Sequence, residues 1–83
     1  MEKKEIETGV KEVISLNSRY SVDEINITDP IDKFISSFMS DRLARELKRK
    51  FDKIDTTQMT NDLYTILKKV SDIIDKIYSI YNS

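Results

Sequence analysis

The sequence predicts an all-α protein: a four-helix bundle of three longer helices and one short helix, with a long loop between helices 1 and 2. Three segments repeat apolar residues at spacings of three and four, as on the buried face of an amphipathic helix. One Gly and one Pro leave too few breaks for a many-turned β fold. A length of 83 residues predicts one domain, spanning 1–83.

The first helix is predicted from about Glu2 to Asn17. Acidic residues cluster near its start, where the helix dipole favours negative charge. Its predicted buried face consists of Ile6, Val10, Val13 and Ile14.

Residues 18–36 lack helical periodicity, and Asp29-Pro30 disfavours helical geometry at Asp29. A loop this long needs anchoring side chains if it is to be ordered. The expected anchors are Ile25, Ile27, Ile31, Phe34 and Ile35.

The second helix is predicted to begin at Ser36 or Ser37, either of which is a suitable N-cap, and to end near Phe51. Its expected apolar face consists of Met39, Leu43, Leu47 and Phe51, widened by Phe38 and Ala44.

The polar stretch 55–62 is predicted to form one helical turn around Met59. The last helix is predicted from about Thr65, as its cap, to Tyr81. Its expected buried face consists of Ile66, Val70, Ile73, Ile74, Ile77 and Tyr81.

The composition excludes several kinds of site. Without Cys or His, the chain offers no disulfide, no thiolate or imidazole metal site and no ordinary general base at neutral pH. We therefore expect no metal and no autonomous enzyme. The charged N-terminus predicts no signal peptide, and no apolar run is long enough to span a membrane, so we expect a cytoplasmic protein.

Positive charge is concentrated in residues 42–53, which carry six bases against two acids. In a chain of net charge −1, such a block indicates an acidic protein partner rather than nucleic acid. The alternative interpretation is an ordinary solvated helix face. The basic residues are Arg42, Arg45, Lys48, Arg49, Lys50 and Lys53.

Residues 34–38, Phe-Ile-Ser-Ser-Phe, resemble the Gly-x-Asp-Ser-Leu motif at the start of the second helix of acyl and peptidyl carrier proteins. Residues 51–55 resemble the family's Phe-x-x-Ile-Pro segment, and residues 63–66 resemble its Ile-Thr-Thr-Val segment. Residues 10–14 and 21–25 resemble its first helix and the acidic stretch that follows. The resemblance covers about residues 6–74.

The chain departs from the family at five points, one of which is a last helix longer than usual. Phe34 stands at the motif's Gly, Ser36 at its Asp and Phe38 at its Leu, and the second helix is basic where the family's is acidic.

The resemblance implies an acyl-carrier-like fold and a phosphopantetheine arm, derived from coenzyme A, on Ser37, with Ser36 as the lesser candidate. Such a phosphoprotein carries an acyl or aminoacyl thioester in fatty acid, polyketide or nonribosomal peptide biosynthesis. Its implied partners are a phosphopantetheinyl transferase and acyl-loading or acyl-transferring enzymes. We expect a monomer that meets an acidic patch of its partners through Phe38, Arg42, Arg45 and Arg49.

The predicted acyl pocket, or alternatively ordinary core, consists of Met39, Leu43, Leu47, Phe51, Ile54, Met59, Leu63, Ile66 and Val70.

Two alternative functions stay open. One is a degenerate carrier-like fold without the arm that acts as a protein–protein interaction module, in which Ser36 and Ser37 are simply caps. The other is a small nucleic-acid binder, which the near-zero net charge disfavours.

Overall fold

The computed structural model describes all 83 residues and contains four α-helices, no strand and three short 3₁₀ turns. The helices are α1 (Lys3–Leu16), α2 (Ser40–Lys50), α3 (Thr56–Asp62) and α4 (Val70–Tyr81). The 3₁₀ turns are Val22–Glu24, Ile31–Lys33 and Ser37–Met39. The prediction of an all-helical chain with three longer helices and one short helix is confirmed.

Helix α1 lies where the sequence predicts it and packs against α4 and α2. The backbone amide of Glu2 donates to Glu5 Oε1 at 3.1 Å, which ties the residue before the helix to its first turn. The predicted apolar face is buried, together with Gly9.

The first loop is held by buried side chains, as predicted, with one exception. Ile25, Ile31, Phe34 and Ile35 are buried, whereas Ile27 is 37% exposed. Ile27 contributes through its backbone instead, because its carbonyl accepts from the Ser71 amide at 2.8 Å.

Helix α2 begins three residues later than the predicted start at Ser37. Residues 37–39 form a 3₁₀ turn that runs directly into the helix, and the predicted end near Phe51 is correct. The turn rotates Phe38 into solvent, where it is 96% exposed, so its assignment to the apolar face of α2 is wrong. Met39 is partly buried against the core.

Helix α4 begins at Val70, not at Thr65. The Thr65 hydroxyl donates to the Asn61 carbonyl at 2.7 Å and caps nothing in α4. Residues 64–66 form a turn in which the Tyr64 amide donates to the Leu67 carbonyl at 2.8 Å. This turn directs Leu67 into the core and leaves Ile66 70% exposed, so the prediction of Ile66 as a pocket or core residue is wrong.

A single cluster of 20 apolar residues forms the core, and no polar or charged residue is buried. It contains most of the predicted pocket or core set: Leu43, Leu47, Phe51, Ile54, Met59, Leu63 and Val70. None of the helices combines the length and apolar character that crossing a membrane would require.

Candidate functional site

Ser36 and Ser37 are adjacent in sequence but differ in what their hydroxyls do. The Ser36 side chain accepts a hydrogen bond from the Phe38 amide at 3.3 Å and so caps the turn that leads into α2. Ser37 is the first residue of that turn and is exposed, and its hydroxyl bonds to no protein group. Of the two predicted site residues, only Ser37 presents a free hydroxyl.

Phe34 and Ser36, where the chain departs from the motif that it resembles, both fit their local backbone geometry. Phe34 has ordinary right-handed geometry, with φ −106° and ψ −42°, so its backbone does not require glycine. Its ring is buried and meets the Tyr20 ring edge to face at 4.8 Å between centroids. Ser36 acts as an N-cap, a role that Asp fills equally well.

An open groove of about 400 Å³ lies beside Ser37. It is lined by Pro30 and Asp32 from the first loop, by Ser37 itself, and by Tyr64 and Lys68 from the α3–α4 connection. Apart from Ser37, these residues are absent from the predicted site. No local pattern could join them, because two distant loops supply them.

Tyr64 is held rigidly at this groove. Its φ of 69° is the only positive value in the chain, a costly conformation for a residue with a large side chain. Its hydroxyl donates to the Ile35 carbonyl at 2.7 Å. Burial, with a smaller effect from the negative charge of Asp32, raises the pKa of Tyr64 to about 12, so the hydroxyl stays protonated at neutral pH.

An exposed ring and three arginines lie just before and along α2. Phe38 is in the 3₁₀ turn that precedes the helix, and Arg42, Arg45 and Arg49, at spacings of three and four, share one side of α2. Arg42 has no carboxylate partner. Arg45 pairs with Asp41 within the helix, and Arg49 with Glu46 at 3.6 Å. We call these four residues the α2 face.

Two other bases of the predicted block have structural partners. Lys48 Nζ donates to the carbonyls of Asp52 and Ile54, the latter at 2.9 Å, and so satisfies backbone groups beyond the end of α2. Lys50 Nζ pairs with Glu12 Oε1 of α1 at 2.7 Å. The positive surface is therefore smaller than the sequence indicates.

Only one groove reaches the predicted acyl-pocket set. It measures about 150 Å³ and lies between α3 and α4, where Ile54, Met59 and Ile80 form its apolar part. Its polar rim consists of Lys53, Asp55, Gln58 and Lys76. The rest of the buried set packs in the core.

No group of three or more acidic side chains is placed to hold a metal ion. Comparisons with protein-family models, with curated proteins and with solved structures found no match to this chain.

Proposed function

We propose that the protein is an acyl carrier protein that holds an acyl or aminoacyl group as a thioester on a phosphopantetheine arm attached to Ser37. The observation that carries the proposal is the exposed, unbonded hydroxyl of Ser37 at the start of the segment leading into α2. Two resemblances to acyl carrier proteins support this proposal: the motif-like residues 34–38 and the order of the four helices.

The local geometry suits a phosphodiester at this position. Ser36 already supplies the cap, so derivatisation of Ser37 breaks no hydrogen bond of the fold. Ser37 precedes α2 by about one turn, and the positive end of the helix dipole favours a negative charge near it. In the loading reaction the Ser37 oxygen forms a new bond to phosphorus and loses its proton, while adenosine 3′,5′-bisphosphate leaves coenzyme A. The arm's thiol then supplies the thioester.

The protein itself then has no catalytic role, and separate enzymes load and use it. We propose that the α2 face is their contact surface. The exposed ring of Phe38 offers apolar area that a docked partner would remove from water. The neighbouring arginines favour an acidic patch on that partner and set the association rate and partner choice.

The fold offers no preformed cavity for a long acyl chain, because the one groove that reaches the predicted acyl-pocket residues is the small one at Ile54, Met59 and Ile80, beyond the far end of α2 from Ser37. At about 150 Å³ it is below the range of about 300–1,000 Å³ typical of ligand pockets. A long acyl chain would therefore extend into solvent or require the helices to separate.

The proposal is tested by intact mass after incubation with coenzyme A and a broad-specificity phosphopantetheinyl transferase. Wild-type protein should gain the mass of one phosphopantetheine, Ser37→Ala should gain none, and Ser36→Ala should still be modified. Circular dichroism verifies that each variant is folded. Unchanged mass of folded wild-type protein with several transferases, or modification of Ser37→Ala, would contradict the proposal.

A second candidate is a carrier-like interaction module without the arm. The exposure of Phe38 favours it, because the α2 face can dock a partner whether or not Ser37 is modified. In that case the mass stays unchanged. A complex with an acidic partner should then weaken with added salt and on reversal of Arg42, Arg45 and Arg49 to Glu.

A further inference from the structure

The groove beside Ser37 has walls that the backbone holds in fixed positions. The Ile31 amide donates to the Lys68 carbonyl at 2.8 Å, and the Val70 amide donates to the Asp29 carbonyl at 3.0 Å. These bonds join the loop that carries Pro30 and Asp32 to the segment that carries Lys68. A ligand in this groove would thus meet a preformed site, which lowers the ordering cost of binding.

Tyr64 lines the groove and is bonded to the segment that carries Ser37. Its hydroxyl bond to the Ile35 carbonyl links the α3–α4 connection to the residue just before Ser36. Its left-handed backbone persists because the amide bond to the Leu67 carbonyl and this hydroxyl bond hold it on both sides.

Two charged side chains of the groove have no partner in the protein. Lys68 and Asp32 both line it, yet neither side chain forms an ion pair or a hydrogen bond. Of the other nearby charges, Asp29 pairs with Lys33 at 3.4 Å and Asp72 accepts from the backbone amides at the start of α4, while Lys69 is exposed and does not line the groove. The groove therefore offers one free cation and one free acceptor.

We propose that this groove is the resting site of the phosphopantetheine arm, with Lys68 paired to its phosphodiester and Asp32 accepting hydrogen bonds from its hydroxyl and amide groups. Pro30 and the Tyr64 ring supply apolar contact for the dimethyl part of the arm. The inference rests on the proposed modification of Ser37, which lies in the same groove.

The chemistry of the arm matches the two free groups. A phosphodiester carries one negative charge at neutral pH, and an ammonium is a suitable point-charge partner for it. The hydroxyl and amide N–H groups of the arm are donors, which a carboxylate accepts. A volume of about 400 Å³ lies within the range of about 300–1,000 Å³ for sites that hold ligands.

The test compares ¹⁵N amide spectra of the protein before and after loading, with intact mass as proof of loading. In wild-type protein, amide shifts should change at residues 30–32 and 64–68 as well as next to Ser37. In Lys68→Glu and Asp32→Asn these distant changes should shrink. Lys69→Glu, an exposed neighbour that does not line the groove, should behave as wild type.

A second readout is the rate at which iodoacetamide alkylates the arm's thiol. If the groove retains the arm, alkylation of loaded Lys68→Glu should be about threefold faster than that of loaded wild type, as expected for loss of one exposed ion pair. Shift changes confined to residues 36–40, or equal behaviour of Lys68→Glu and Lys69→Glu, would overturn the inference and leave the carrier function standing. Failure of Ser37 to accept the arm would overturn both.

Discussion

At the scale of single residues, helix propensity alone gives the wrong sign for the effect of replacing Gly9 on stability. Glycine in a helix interior usually costs about 0.5–1 kcal/mol relative to alanine, which would make Gly9→Ala stabilising. A Cβ at this position, however, would lie 2.6 Å from Cζ of Phe51. We expect Gly9→Ala to lower the free energy of unfolding by about 1–3 kcal/mol, measured by urea denaturation, because the Phe51 ring must shift.

The control for Gly9 is Thr8→Ala, which changes the adjacent, exposed position of α1 and should alter stability little. The double variant Gly9→Ala/Phe51→Leu should be less destabilised than the sum of its single variants, since the smaller side chain removes the clash. A Gly9→Ala protein as stable as wild type would show that the close approach does not exist.

The two serines show what the sequence can and cannot resolve at this scale. The pattern predicts that α2 begins at Ser36 or Ser37, whereas the structure has a 3₁₀ turn there and begins α2 at Ser40. The sequence pattern cannot decide which of the two hydroxyls caps the turn and which is free, because both residues are serines at adjacent positions. The hydrogen bond from the Phe38 amide to Ser36 settles that question.

At the scale of elements, the start of α4 is the main failure of the sequence prediction. Ile66 and Val70 have helical spacing, so the apolar period runs unbroken from 66 to 81. The structure interrupts it with a turn at residues 64–66, which satisfies its backbone groups through the Asp62 and Leu67 carbonyls. Periodicity records which residues are apolar, not which backbone bonds form, so it cannot detect such a turn.

The true start of α4 depends on Asp72. Its Oδ2 accepts from the Lys68 and Lys69 amides, at 3.0 Å each. The hydrogen bond from the Lys69 amide is the main cause that lowers the pKa of Asp72 from its ordinary 3.8. We expect Asp72→Ala to lower the free energy of unfolding by about 1 kcal/mol at neutral pH, a typical loss for a cap.

The pH dependence of this loss has a defined sign. A carboxyl whose pKa is lower in the folded state stabilises the fold above its unfolded value of 3.8, and that contribution disappears as the pH falls through the folded value. The stability difference between wild type and Asp72→Ala should therefore stay constant from pH 7 to pH 5 and shrink below pH 4. A difference that grows in acid would contradict the assigned role.

At the scale of the whole molecule, the sequence predicts the core well and the groove beside Ser37 not at all. Most core residues lie on helical faces whose period is local. The wrong assignments fall in turns, such as Ile27 and Ile66, and Tyr81 at the end of α4 is only partly buried. The groove joins residues around 30 to residues around 68 through bonds between loops. Such contacts arise only after the helices have packed, and no local pattern encodes them.

A single core also predicts how the molecule unfolds. Tyr20, Tyr64 and Tyr81 lie in the first loop, in the α3–α4 connection and at the end of α4, and all three pack against the same cluster. Because no part of the molecule has a core of its own, the tyrosine packing and the helices must be lost together during unfolding. We expect urea transitions followed by near-ultraviolet and far-ultraviolet circular dichroism to superimpose, with a slope of about 1 kcal/mol per molar urea.

Ile77→Val provides the check on this cooperative behaviour. Ile77 is fully buried in α4, and removal of one methylene should cost about 0.5–1.5 kcal/mol. Because α4 shares the core with every other element, the lower stability should shift the near-ultraviolet and far-ultraviolet transitions to lower urea concentration by the same amount. If the near-ultraviolet signal disappeared first, or only one transition moved, the helices would have to be held by separable clusters rather than by one core.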